Sequence, residues 1–157
     1  MNDKVTEAAA RIKLLISDVD GVLTDGGRYY TKNGEVEKKF DNRDGMGVNV
    51  LLRNKIKTVI VTKETSQIVK KWAKEMNITH VFNGVVKKES ILFKICKNFK
   101  VSPQEIAYIG DDINDLELMK KVGFSGLQFQ VHKLRLWLII NVFRILFNII
   151  VKSILVR

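Results

Sequence analysis

Two aspartates two residues apart, Asp18 and Asp20, close an apolar run that begins at Ile12, and Gly21 follows them. Carboxylates held this close repel one another unless something positive lies between them. Oxygen-only donors suit a hard divalent cation better than zinc. A second acidic group, Asp111, Asp112 and Asp115, follows a second apolar run, Ile106-Ala107-Tyr108-Ile109, and Gly110. Between the two groups come Thr62, which ends Val59-Ile60-Val61, and Lys88, downstream of His80-Val81-Phe82. A hydroxyl, an ammonium and two acidic tips, each at or just after an apolar run, form an ordered series.

The elements that must position these groups follow from the pattern. Short continuous apolar runs bounded by turn residues read as buried parallel strands, which predicts strands over 12–17, 57–62, 79–82 and 105–109, with a short fifth over 122–126. Helices are predicted over 64–77, 87–99 and 114–121, and another after Arg43–Gly47 with Val48, Leu51 and Leu52 inward. Strands that alternate with helices give an α/β fold, a parallel sheet flanked by helices with right-handed crossovers. Ligands of such sheets sit at the C-terminal strand tips, where these residues fall. Asn33-Gly34, between alternating segments, predicts a small β-hairpin just after the first acidic tip. No interval is long enough for a separate cap domain.

The order Asp-x-Asp, Thr, Lys, Gly-Asp-Asp-x-x-Asp resembles the haloacid dehalogenase (HAD) superfamily over roughly residues 11–126. Asp18–Gly26, the hairpin, Phe40–Gly45 and Ala107–Asp112 are most similar to its small lidless branch. That branch removes phosphate from 3-deoxy-2-ulosonic acid phosphates: 3-deoxy-D-manno-octulosonate (KDO) 8-phosphate or sialic-acid-type nonulosonate 9-phosphates. Some members are the phosphatase half of acylneuraminate cytidylyltransferases.

The resemblance implies a Rossmann-like HAD fold and a phosphomonoesterase. Phosphate ester hydrolysis needs a nucleophile, an acid for the leaving group, charge neutralisation and a placed phosphoryl group. Asp18 is the expected nucleophile, forming an aspartyl-phosphate, and Asp20 the general acid and then base. Mg²⁺ is implied on Asp18, the main-chain carbonyl of Asp20, and Asp111, with Asp112 and Asp115 orienting that shell. Thr62 and Lys88 are expected to hold the phosphoryl oxygens. Arg43 is a candidate for the sugar-acid carboxylate. Glu64 resembles the nine-carbon enzymes and tilts the expected substrate that way, with the octulosonate close behind. A homotetramer is implied, hairpins packed together and a neighbour's tail closing each site. The competing class is a weakly active or non-catalytic assembly domain of sugar-acid biosynthesis. A signalling receiver domain has the phosphorylated aspartate on the middle strand, where this chain has Thr62.

Composition narrows the partners. The 157-residue chain carries a net charge of +10, but residues 118–157 hold seven basic residues and no acid. The preceding 117 residues are therefore nearly balanced, and no basic-aromatic interleaving suggests nucleic-acid binding. The single cysteine, Cys96, falls on an apolar helical stripe and reads as a buried hydrophobe. Lack of any disulfide pair, and of an apolar leader in residues 1–11, fits a cytoplasmic protein. His80 and His132 have no partner at metal-ligand spacing.

Residues 1–126 are thus expected to form the phosphatase domain, and 127–157 an atypical apolar and basic tail. The arginine-bearing glycine-rich tail of the family is missing there. Three readings stay open. One is a docking helix with Asn141, Arg144, Asn148 and Lys152 on one stripe. Another is a membrane-surface helix, the one expected route to membrane contact. The third is a reading-frame shift after Gly126.

Overall fold

The computed structural model describes residues 3–127; the tail readings concern residues outside that range. A short helix α1 (Asp3–Ala10) leads into strand β1 (Leu14–Ser17). The hairpin strands β2 (Tyr29–Thr31) and β3 (Gly34–Glu37) come next, followed by α2 (Asn42–Arg53) and β4 (Lys57–Val61). Then come α3 (Gln67–Glu75), β5 (His80–Phe82), α4 (Leu92–Phe99), β6 (Ile106–Gly110), α5 (Leu116–Met119) and β7 (Phe124–Leu127). The five-stranded sheet has the order β5-β4-β1-β6-β7, with β1 at its centre and every pairing parallel. Asp18 therefore leaves the middle of the sheet, between the ends of β4 and β6, whereas β4, expected in the middle and followed by Thr62, lies one place off centre. Among the described residues the predicted α/β architecture, with a flap and no separate cap, is the one observed.

Period-2 alternation explains why the strand sequences are apolar throughout. Leu15, Ile60, Ala107 and Ile109 pack on one side with Leu51, Val69 and Trp72. Leu14, Ile16, Val59, Val61, Ile106 and Tyr108 pack on the other with Leu92, Ile95 and Leu118. The β1 strand is buried on both faces along its whole length.

Several boundaries differ from the expected ones. The segment predicted as a helix over 87–99 begins as a 3₁₀ turn, Lys88–Ile91, before α4. The helix predicted over 64–77 starts only at Gln67, because residues 63–66 form the loop that carries Glu64 beside the site. The fifth strand runs to Leu127, one residue past the expected domain limit. In the hairpin, Thr31 pairs with Gly34, so the turn is centred on Lys32-Asn33 and Gly34 alone takes a positive φ of 115°. Glycine permits that exit without a Cβ clash.

The flap is rooted at both ends. It leaves at Thr24 and returns at Phe40, and those two residues form an isolated antiparallel bridge. The Phe40 ring stacks on Trp72 of α3 at 4.5 Å between centroids, 13° from parallel. This contact places the returning arm, and with it Lys38, against the sheet's C-terminal edge.

Candidate active site

The turn after β1 is wound by main-chain bonds. The Val19 carbonyl accepts from the amides of Val22, Leu23 and Thr24 at 2.9–3.1 Å. Gly21 sits in it at φ 83°, a conformation other residues adopt only with strain. The Asp18 amide donates to Ile109 O at 2.9 Å and extends the β1–β6 pairing to the sheet's C-terminal edge. Thr62 continues β4 in the same way, its amide on Phe82 O at 2.9 Å, while its hydroxyl accepts from the Glu64 amide at 3.3 Å.

A cavity of about 350 Å³ opens at this edge, lined by Asp18, Asp20, Thr62, Lys63, Glu64, Lys88, Asp111, Asp112 and Asn114. Its size suits a small-molecule ligand. Four residues from four separate segments meet here, Asp18, Thr62 and Asp111 at strand tips and Lys88 on the 3₁₀ turn beyond β5. Arg43 does not line the cavity. Its guanidinium is exposed and forks onto Asp41, with Nη2–Oδ2 at 2.6 Å, and that bond is the main cause of its raised pKa.

Lys88 and Asp115 form the buried hub. Lys88 Nζ lies 2.9 Å from Asp18 Oδ1 and 2.5 Å from Asp115 Oδ1, and both lysine and Asp115 are sealed from solvent. Asp115 Oδ1 also accepts from the Tyr108 hydroxyl at 2.6 Å, while Oδ2 accepts from the amides of Asp111 and Asp112 at 3.0 and 3.2 Å. Burial, then the Asp115 charge, pushes the Tyr108 phenol far up, so it stays a neutral donor. Burial is also the chief reason Asp18 is pushed up to about 6, against the lowering pull of Lys88. Asp111 is likewise raised to about 6 by burial first and then by Asp18 and Asp115. In both, loss of hydration is the larger cause, and the neighbouring carboxylates add to it against the pull of Lys88.

Carboxylate oxygens of Asp18, Asp111 and Asp115 lie within 4.8 Å of one another. All are hard oxygen donors and fit a divalent cation. Because four donors already engage Asp115, Asp18 and Asp111 are the members with oxygen left to give, and Asp115 orients the other groups. Asp112 is occupied locally, accepting from the Ile113 amide at 2.6 Å and Asn114 Nδ2 at 2.8 Å.

Three participants escape a reading of the sequence. Tyr108 carried a usable signal, a hydroxyl in the middle of a fully buried strand that must find a partner. Arg28 and Lys38 carried none, since both sit in a charged, flap-forming stretch. Arg28 pairs with Glu64 Oε1, and Lys38 bridges Asp20 and Glu64. Among the described residues no helix is long and apolar enough to cross a membrane.

A haloacid dehalogenase-like hydrolase family model matches residues 45–123. The chain is 37% identical over 134 residues to the 3-deoxy-D-manno-octulosonate 8-phosphate phosphatase KdsC of Yersinia pestis, covering 85% of this chain and 72% of that protein. The Escherichia coli K12 enzyme of the same name is 37% identical over 130 residues, 83% of this chain and 69% of its own length. Among solved structures, the Moraxella catarrhalis enzyme of that name, in complex with magnesium, phosphate and KDO, superposes with a TM-score of 0.75 at 35% identity, covering 80% of this chain and 73% of that one. A cobalt-bound form of the Haemophilus influenzae phosphatase gives a TM-score of 0.73 at 37% identity, covering 75% of this chain and 69% of that one.

Proposed function

The chain belongs to the haloacid dehalogenase-like hydrolases and acts on phosphate monoesters, and from that premise we propose that it removes the terminal phosphate of KDO 8-phosphate with Mg²⁺ as cofactor. One observation carries the reading: Asp18, Thr62, Lys88 and Asp111 line a single cavity although they come from four separate segments of the chain. The names of the curated relatives supply the sugar. The case for a nine-carbon substrate rested on Glu64, and both oxygens of that carboxylate are engaged by Arg28 and Lys38. We therefore put the eight-carbon acid first.

In the proposed reaction an Asp18 carboxylate oxygen attacks phosphorus as the bond from phosphorus to the sugar oxygen breaks. Asp20 gives its proton to that departing oxygen. Asp20, now a carboxylate, takes a proton from water, whose oxygen attacks the aspartyl-phosphate. Inorganic phosphate leaves and Asp18 is restored. Lys88 steadies one Asp18 oxygen and, with Thr62, holds the phosphoryl oxygens. Asp18 and Asp111, with the Asp20 carbonyl as the further expected ligand, would hold a divalent cation, whose charge would neutralise that of the phosphate. Exposed Tyr29 and Tyr30 on the flap, 55% and 61% accessible, support the reading that flaps of several copies pack together in a homotetramer. Residues 1–126 as the phosphatase unit and 127–157 as a separate tail remain part of the proposal.

The test is metal-dependent phosphate release from KDO 8-phosphate, a nonulosonate 9-phosphate and p-nitrophenyl phosphate. We expect kcat/KM to favour KDO 8-phosphate over the nine-carbon ester by about tenfold or more. Equal or reversed preference would move the assignment to the nine-carbon acid. No release from any of the three would overturn it.

The raised carboxylates give a second expected result. With folded-state pKa values of about 6 against 3.8, Asp18 and Asp111 keep protons that the unfolded chain has already lost. Their contribution to the metal-free protein's stability is full below about pH 4 and is lost as pH rises through about 6. A cation needs both groups ionised, so it must displace those protons. The rise in Tm on adding Mg²⁺ should be small near pH 5 and grow to about pH 7.5. Scanning calorimetry with and without Mg²⁺ checks this, and a pH-independent increment would count against Asp18 and Asp111 as ligands.

A further inference from the structure

Lys38 follows β3 by one residue on the returning arm of the flap, and its side chain is 0% exposed. Its ammonium donates to Asp20 Oδ1 at 2.5 Å and to Glu64 Oε2 at 3.1 Å. The other Glu64 oxygen pairs with Arg28, on the outgoing arm. A buried ammonium is costly to desolvate, and the two carboxylates offset that cost only while both stay close. The Phe40–Trp72 stack two residues further on fixes the backbone from which Lys38 reaches. Nothing in cation binding or in holding the phosphoryl group calls for a lysine at this place.

We propose that Lys38 is a positioning residue for Asp20. It holds the acid–base carboxylate by one oxygen, and Glu64, anchored by Arg28, braces the lysine from the far side. The flap would then set the geometry of proton delivery to the leaving oxygen as well as covering the site. This inference rests on the phosphomonoesterase reading and on the role of Asp20 within it.

The experiment compares phenyl phosphate with p-nitrophenyl phosphate, two esters of similar shape, on the full chain with saturating Mg²⁺. The value of kcat/KM reports the steps through departure of the leaving group. General-acid assistance is worth about 10²–10⁴-fold where the leaving oxygen needs a proton. p-Nitrophenolate, the weaker base, departs with little help. Lys38→Met should lower kcat/KM for phenyl phosphate about tenfold more than for p-nitrophenyl phosphate. Lys38→Arg should recover part of the difference. Glu64→Gln, which loosens the brace, should shift the ratio the same way by less, and carries the test should Lys38→Met not fold. The ratio of the two substrates is independent of the fraction of protein folded, so a merely structural role leaves it unchanged. In an Asp20→Asn background Lys38→Met should not move the ratio further. Equal losses on both esters, or no loss on either, would overturn the inference while leaving the phosphatase reading intact. A wild-type chain inert on both esters would overturn the phosphatase reading itself, and the inference with it.

Discussion

Asp18→Asn should abolish phosphate release, with kcat falling about 10⁴-fold or more, while the protein stays folded. The amide matches the carboxylate in size but cannot form the acyl-phosphate. The structural cost should be small for a reason visible in the site. Burial pushes the Asp18 carboxyl up to about 6, so holding it ionised at pH 8 costs the metal-free fold stability that an amide does not. Lys88 would keep Asp115 as its partner at 2.5 Å. Steady-state kinetics on p-nitrophenyl phosphate, with thermal melts of both proteins in chelator at pH 8, measure the two halves. We expect lost turnover and a Tm that is unchanged or raised. Retention of a tenth of wild-type turnover would mean that the nucleophile lies elsewhere.

Asp115→Ala should do the opposite, taking stability and activity together. Its two oxygens serve the buried Lys88 and Tyr108 and the part-buried amides of Asp111 and Asp112. Truncation leaves the buried Tyr108 phenol without its acceptor and the buried Lys88 ammonium with Asp18 as its one remaining carboxylate. Breaking a buried pair by removing one partner costs about 3–5 kcal/mol. For a chain of this size that is a fall in Tm of roughly 10 °C. Activity should drop at least about 100-fold because Lys88 and the Asp111 loop lose their common anchor.

Gly110 offers an independent approach to the same hub. A Cβ at Gly110 would fall 2.7 Å from the Asp115 Cβ and closer still to its carboxylate. Gly110→Ala should therefore impair activity with every charged group still present. Urea melts and kinetics on the two variants together check the point. A fully stable, active Asp115→Ala protein would show that the hub is dispensable.

Much of the site could be read from the chain because strand tips are local events. An apolar run that stops at Asp18, Thr62 or Asp111 announces both the strand and the side chain at its exit. In a parallel sheet all such exits face one edge. Helix starts were less legible. The loop bearing Glu64 and the 3₁₀ turn at Lys88 keep helix-forming composition, and tertiary bonds delay the α-helix, as when the Val85 amide binds Thr62 O at 3.0 Å. The hairpin turn shifted by one residue because Gly34 alone absorbs the positive φ.

What the residues determined by themselves was the architecture and the inventory: a doubly covered parallel sheet, a flap, and acids, a hydroxyl and a lysine at its edge. These follow from periodicity and chain order, which are one-dimensional properties. What only the tertiary structure decided was the pairing of charges. Lys38, in a charged stretch of the flap, is sealed against Asp20 and Glu64, and Asp115 rather than Asp112 becomes the buried anchor of Lys88. Coulomb attraction and desolvation depend on separation and burial in three dimensions. Residues 18, 38, 64, 88 and 115 acquire both only when the sheet closes.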